Sequence, residues 1–426
     1  MQHIGSNPEE VKRRNLSLIL NTLREVGPTC RRDLSRLAGL TPATISRLTA
    51  ELIACSLVSE VGSDLDDERR GGPNPILLDL AAGGPCVLAL RLGVTVPALH
   101  GALVDLHGKI TAQKSLPLPQ DHGVAELAQA AATLAKALSA PTVAGPANRP
   151  LAVGFATTGP VDEQEGMIQT HQNPRLCHAR VGAPLRAALG LPVFVGNIVN
   201  SMALAEAWFG QGRNYANYLF MLVQDAVNGA LVMQRSVLVG RRWGSCIVGH
   251  APLDPQGPVC RLCGLRGCVN SLASDAALLA QARPLLDRPG SPLATLAASA
   301  PLSRRLIAAA ARAGDEECRS LLVCQGTYLG RALANALNLI DVQAVILAMD
   351  VAEPEADIEL GALRAAYEAN LAYRGDNGDI PQILLSELKG ELALLGPATL
   401  AIKQVLSPRL TIRTTPSGSL AASLFF

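Results

Sequence analysis

In the segment GHAPLDPQGPVCRLCGLRGC, residues 249–268, His250 is followed by Cys260, Cys263 and Cys268. One imidazole and three thiolates make up a complete tetrahedral N and S ligand set of the kind that zinc takes at closed structural sites. No position is left for water, so zinc here would hold a loop together and would not activate a nucleophile. Gly264 and Gly267 let the chain turn tightly around an ion. Cysteines packed merely as small hydrophobes would not crowd three into one short, glycine-interleaved stretch. The remaining cysteines of the ten are scattered, which is no disulfide framework, although Cys246 is near enough to compete as a ligand.

Composition limits the other kinds of chemistry. With 49% hydrophobic and 17% charged residues in 426, the chain can bury a large core, which excludes global disorder. Aromatic residues at 3% leave too few rings for a stacking platform for single strands or sugars. Lys plus Arg (37) nearly balances Asp plus Glu (36), so a nucleic-acid partner has to be read from a local patch. Such a patch exists. Between residues 8 and 50, eight basic residues (Lys12, Arg13, Arg14, Arg24, Arg31, Arg32, Arg36, Arg47) face four acidic ones (Glu9, Glu10, Glu25, Asp33), a balance of +4. Residues 1–14 lack the apolar run and cleavage site of a secretory signal, so the expected location is cytoplasmic. The longest uncharged stretch, Ala187 to Ala205, is broken by Gly190, Pro192, Gly196, Asn197 and Asn200, which suits a strand and turn better than a membrane span.

The elements around the basic patch follow from local signals. Residues 9–26 carry Val11, Leu16, Ile19, Leu20 and Leu23 at helical spacing and stop at Gly27-Pro28. A second helix, Arg31 to Ala38, puts Leu34 and Leu37 on one side before Gly39. Thr41 as N-cap and Pro42 at the first helical position open a third helix through about Ala54, striped by Ile45, Leu48 and Leu52. Ala43 and Arg47 lie opposite that stripe, with Thr44 and Ser46 on its flanks. Strands at Leu57 to Val61 and Pro75 to Leu80 around the polar loop SDLDDERRGGPN complete a winged helix-turn-helix. The third helix, through Pro42, Ala43, Thr44, Ser46 and Arg47, is expected to enter the major groove of an operator. Arg31 and Arg32 are expected to hold phosphates, and the wing at Asp64 to Asn74 to touch backbone or minor groove.

Beyond Gly83-Gly84 the pattern changes. Strand-like runs at Cys86 to Leu92, Leu99 to Asp105, Leu151 to Ala156, Val193 to Val195, Tyr218 to Val223, Ala230 to Gln234, Ala344 to Ala348 and Ile383 to Leu385 alternate with alanine-rich helical stretches such as 124–139 and 317–337. This predicts an α/β body. Two comparable strand-rich starts, near 86 and 218, suit a duplicated, two-lobed fold.

From about residue 8 to about 405 the chain resembles the ROK family of bacterial sugar-responsive repressors and sugar kinases. NLSLILNTLREVGPTCRRDLSRLAGLTPATISRLTAELIACSLV is similar to the helix-turn-helix of the repressor branch, which the kinases lack. GPVDEQEGMI, LPVFVGN, ALAEAWFGQGRNY, the cluster of one His and three Cys, and NALNLIDVQAVIL match the shared body. The resemblance implies an N-terminal winged helix-turn-helix at 1–82. Behind it comes a two-lobed actin-like (RNase H-like duplicated) ROK body at 83–426. Lobe one covers about 83–196 with a C-terminal helix at about 391–407, and lobe two about 197–390 with the zinc loop. It further implies a homodimer or homotetramer, a double-stranded DNA operator and a small-molecule effector.

The departures from the family pattern are as telling. Where ROK kinases hold ATP phosphates with Asp-x-Gly-Gly-Thr, this chain reads Arg91, Leu92, Gly93, Val94, Thr95. The second phosphate loop reads QDAVNGA, with only Gly229 left, and the late triple-glycine turn reads Ala348, Met349, Asp350. The general base, an Asp after an Asn, is replaced by Ile198 after Asn197, so no enzyme activity is expected. Two sugar-contacting glutamates are replaced by Ile247 and Asn270, and Cys260 and Cys263 stand one residue further apart than is usual. Asn197 and His250, with Asn173 and Asn270 beside them, are the remaining candidate ligand contacts. Asn197 is equally readable as the cap of a helix from about Asn200. The reading is a zinc-containing DNA-binding repressor with a degraded sugar site. Its alternatives are a repressor with an atypical sugar site and a ROK kinase.

Overall fold

Asn7 accepts the Glu9 amide proton and Pro8 supplies a preset φ, and these two start α1 (Pro8–Val26), which ends at Gly27 with φ 77°. The computed structural model describes residues 7–63, 75–93, 96–140, 149–242, 246–288, 290–351, 357–372, 379–414 and 420–424. After β1 (Thr29–Cys30), α2 (Arg31–Ala38) and α3 (Pro42–Ala54) pack through Leu16, Ile19, Leu20, Leu23, Leu34, Ile45, Leu48 and Leu52, all essentially inaccessible to water. Val11 and Leu37, expected in that core, are instead exposed at 38% and 51%. The strands β2 (Val58–Ser63) and β3 (Ile76–Leu80) form a three-stranded sheet with β1 in the order β1-β3-β2. The wing, Asp64 to Asn74, lies outside the described residues.

By their contacts the residues divide into two units, Met1–Met202 with Glu391–Phe426, and Ala203–Gly390. The helix-turn-helix head groups with the first unit. There Ser17 Oγ (2.6 Å) and Asn21 Nδ2 (2.8 Å) both donate to the Leu406 carbonyl.

In the first unit β4 (Cys86–Leu92), β5 (Ala98–Val104) and β6 (Ile110–Pro117) run antiparallel, followed by α4 (Val124–Leu138) and β7 (Pro150–Thr157). Three two-residue strands, β8 (Val161–Asp162), β9 (Met167–Ile168) and β10 (Ala179–Arg180), make a small separate sheet. Next come α5 (Gly182–Leu189), β11 (Val193–Asn197) and α6 (Ile198–Phe209). The main sheet has the order β11-β7-β4-β5-β6, with β4, β7 and β11 parallel.

The second unit opens with β12 (Tyr218–Val223), β13 (Val227–Met233) and β14 (Ser236–Val237). The helices α7 (Val269–Ala273), α8 (Asp275–Ala282), α9 (Pro292–Ala297), α10 (Arg304–Arg312) and α11 (Glu316–Leu337) follow. The unit ends with β15 (Ala344–Met349), α12 (Ile358–Asn370) and β16 (Gln382–Leu385). Its sheet, β14-β13-β12-β15-β16, repeats the order and directions of the first, which is the duplication expected from the two strand-rich starts.

The chain returns to the first unit through α13 (Leu392–Val405) and a hairpin of β17 (Leu410–Thr414) and β18 (Leu420–Leu424). Helix α13 lies directly on the first sheet because Gly154 has no side chain: a Cβ there would come within 1.7 Å of the Pro397 carbonyl oxygen. No helix among the described residues is long and apolar enough to cross a membrane.

Candidate metal centre and nucleic-acid interface

In the second unit the ligand atoms of His250, Cys260, Cys263 and Cys268 all lie within 4.8 Å of one another. Cys263 Sγ and Cys268 Sγ are 4.0 Å apart. Tetrahedral zinc with Zn–S bonds of about 2.3 Å separates its sulfurs by roughly 3.8 Å, so the cluster encloses a space of the right size. The loop is shaped by its backbone. Cys260 N–H donates to the Leu265 carbonyl (2.8 Å), Gly264 N–H to the Cys260 carbonyl (2.9 Å), and the Gly267 carbonyl accepts from Leu253 and Asp254. At Gly267, φ is +57° and a Cβ would stand 1.6 Å from the Asp254 carbonyl oxygen, so only glycine fits. Burial lowers the pKa of His250, which favours the neutral imidazole a metal ligand must present. Cys246 is not a member of the cluster. It packs against the core of this unit, where burial pushes its thiol up to about 11.

In the first unit, α3 has one face sealed and the other open. Ile45, Leu48 and Leu52 are fully buried, whereas Pro42, Ala43, Ser46 and Arg47 are exposed and Thr44 is half-buried. Thr41 Oγ1 caps the helix by accepting the Thr44 amide proton at 3.3 Å. Arg47 is 60% exposed, with Glu51 one turn on at 3.5 Å, a weak surface pair that leaves the guanidinium able to reach outward. Arg31 is placed differently: its Nη2 donates to Glu60 of β2 at 3.0 Å and its Nε to Thr49 at 3.3 Å, so it braces α2 against α3 and the sheet. Arg32 is 59% exposed. Arg36, counted above only as part of the basic patch, is 78% exposed on α2 and is a further cation on this head.

The candidate ligand contacts are largely occupied by backbone. Asn197 Oδ1 accepts the amide protons of Val199 (2.8 Å) and Asn200 (3.1 Å), and its Nδ2 donates to the Gly159 carbonyl (2.8 Å). Asn173 likewise accepts from the Arg175 amide and donates to the His122 carbonyl. In the second unit Asn270 is buried, its Oδ1 accepting the Val227 amide proton at the start of β13 while its Nδ2 lies 3.5 Å from His250 Nδ1. Ile198, at the first position of α6, is 7% exposed. Asp350, just past β15, is gripped by Arg305 of α10 through Nε (2.9 and 2.8 Å) and Nη2 (2.5 Å). Ile247 is 63% exposed.

A family model described as ROK family matches residues 87–404, and the helix-turn-helix head precedes that stretch. The xylose repressor of Bacillus subtilis is 24% identical over 410 residues, covering 93% of this chain and 97% of the relative. The DNA-binding transcriptional dual regulator NagC of Escherichia coli is 24% identical over 355 residues, covering 82% of this chain and 83% of the relative. Among solved structures, a ROK family transcriptional regulator described as a homolog of Escherichia coli MLC superposes with a TM-score of 0.74 at 24% identity, over 94% of this chain and 98% of its own. The ROK hexokinase of Thermus thermophilus superposes with a TM-score of 0.60 at 29% identity, over 75% of this chain and 99% of its own.

Proposed function

The chain belongs to the ROK family, and from that premise we propose that it is a DNA-binding transcriptional regulator acting as a repressor. Residues 1–82 are the reading head. Residues 83–426 are the body, with lobe one at about 83–196 plus about 391–407 and lobe two at about 197–390. The observation that carries this reading is α3. Its N-terminal half offers Pro42, Ala43, Ser46 and Arg47 to solvent on a helix whose other side is locked into a three-helix core. A rigid, exposed helix face of small and basic residues is what enters a major groove. The relatives named as repressors support it.

A dimer would present two such helices to two-fold related half-sites. Arg47 is the side chain placed to reach a guanine edge, and Arg32 and Arg36 are placed for phosphates. Arg47→Ala is expected to cost about 1–3 kcal/mol on the preferred site and to relax its sequence preference. Fluorescence anisotropy with matched and scrambled duplexes checks this. A uniform loss on both duplexes, with a shallower salt dependence, would make Arg47 a phosphate anchor instead.

Zinc is the metal that suits three thiolates and an imidazole, and when bound it would clamp the ends of the 250–268 loop. His250, Cys260, Cys263 and Cys268 would hold it. The resemblance to a hexokinase raises the kinase reading, but Ile198 has no atom that accepts a hydroxyl proton. The Arg305–Asp350 pair also stands where the resemblance implies an adenosine-receiving turn. No ATP-dependent phosphorylation of hexoses or amino sugars is expected in a coupled assay, and turnover surviving repurification would restore that reading.

A further inference from the structure

The three sulfurs of the 250–268 loop differ in their access to water. Cys260 is 4% exposed and Cys268 is inaccessible, whereas Cys263 is exposed, in a turn with Arg261 and Leu262. The bond from Gly264 N–H to the Cys260 carbonyl closes that turn, and the extra residue between Cys260 and Cys263 lies within it. At Gly264, φ is +74° and nothing stands within 4 Å of where a Cβ would be, so this turn is not packed against the rest of the unit. Cys268 is held differently, by the pairing of its backbone with Pro252 and by the helix α7 that follows it. One sulfur thus sits on a solvent-facing turn, and a second, anchored and shielded, lies 4.0 Å from it. A disulfide needs the two at about 2.05 Å, a short closure for side chains of which one is on an open turn.

Peroxide attacks sulfur that is both ionised and open to solvent. A cysteine that ligates zinc does so as the thiolate, and burial shields Cys260 and Cys268, which leaves Cys263 as the accessible nucleophile. Cys324 of α11 is also exposed, but it is not a member of the cluster. Attack of the Cys263 thiolate on hydrogen peroxide breaks the O–O bond, forms a sulfenic acid and releases one hydroxide. The Cys268 thiolate then attacks that sulfur, forming the S–S bond and releasing the second hydroxide. Two electrons pass from the sulfurs to the peroxide, and no other oxidant is needed. His250 and Cys260 would then be the ligands left, two where zinc takes four.

We propose that Cys263 is a site of reversible oxidation by peroxide, which joins it to Cys268 and ejects the metal ion. The inference rests on the zinc reading above and is independent of DNA binding. The test begins with metal analysis of the full-length protein as isolated. Hydrogen peroxide is then added beside a colorimetric zinc chelator, and peptide mass spectrometry with differential alkylation follows each cysteine. The expected result is zinc release in step with a Cys263–Cys268 disulfide, while Cys324 stays reduced at the same dose. Dithiothreitol with added zinc should restore the original Tm. Cys263→His keeps four N and S ligands but has no sulfur at the exposed position, and its zinc should leave about tenfold more slowly or slower still. Should that variant not fold, the peptide map of the native protein decides alone. Oxidation of Cys324 ahead of Cys263, a disulfide that joins any other pair, release as fast from Cys263→His, or a change that dithiothreitol and zinc do not reverse would each overturn the proposal. Protein that carries no zinc at the start would sink the zinc reading and the ejection with it, and the map would then decide the Cys263–Cys268 pairing separately.

Discussion

Arg304→Met is expected to lower folding stability by about 3–5 kcal/mol, the usual cost of removing one partner from a buried ionic group. Arg304 is 6% exposed, and its guanidinium bonds to Asp275 (Nε at 2.7 Å, and Nη2) and to Glu359 through Nη1. Glu359 is 1% exposed and its other carboxylate oxygen has no hydrogen-bond partner among the described residues. With the cation gone, two carboxylates remain in a dry site. Burial already pushes the Glu359 carboxyl up against the pull of Arg304, and loss of Arg304 raises it further. A carboxyl whose folded pKa exceeds its unfolded value holds a proton that the unfolded chain releases, so its stability deficit grows as pH rises through that interval. The variant should therefore lose less stability at pH 5 than at pH 8. Urea unfolding at both pH values checks this; a loss below about 1 kcal/mol, or one independent of pH, would show that the pair is replaceable.

Cys268→Ser is expected to remove both metal and stability. Cys268 is inaccessible to water, sits at the start of α7 and bridges to Pro252, so the ion it helps hold would tie α7 to the whole 250–268 loop. Structural zinc binding in small domains is worth on the order of 10 kcal/mol, and part of that appears as folding stability wherever the unfolded chain binds the ion less well. Metal analysis of protein never exposed to added zinc should find about one zinc per chain in the native protein and far less in the variant. The variant's melting should match that of native protein treated with a strong chelator. Native protein that is well folded without zinc, and indifferent to chelation, would remove the metal from the account.

The parts of this structure legible in the sequence were those written locally. Gly27, Gly39, and Thr41-Pro42 set the end of α1, the end of α2 and the start of α3 through caps and a preset φ, so the elements of the head fall within a residue or two of where spacing puts them. The gathering of His250, Cys260, Cys263 and Cys268 into one cluster was legible because its members are close in the chain and share a chemistry. Strand β1 was missed because its two residues have no pattern of their own and exist only through pairing with β3. β6 was missed because it is a largely exposed edge strand that lacks the alternation of a half-buried one. Helical spacing put Leu37 inside, but α2 is too short for one stripe to be defined, and the helix turns that residue outward.

Contacts between distant segments were not legible at all. Arg31 reads as a surface cation until Glu60 is found beside it, and the partners of Arg304 lie 29 and 55 residues away. Asn197 could be read equally as a ligand contact or a helix cap, and its hydrogen bonds now account for it as the cap of α6.

The most direct test of the central claim is selection of duplexes from a random library by the full-length protein, followed by footprinting of the enriched sequence. The account predicts one preferred site of two-fold symmetry, its half-sites about one or more helical turns apart, with enrichment abolished when Arg47 is replaced by alanine. Enrichment of no sequence, or a preferred sequence bound as well by the Arg47→Ala protein, would contradict it.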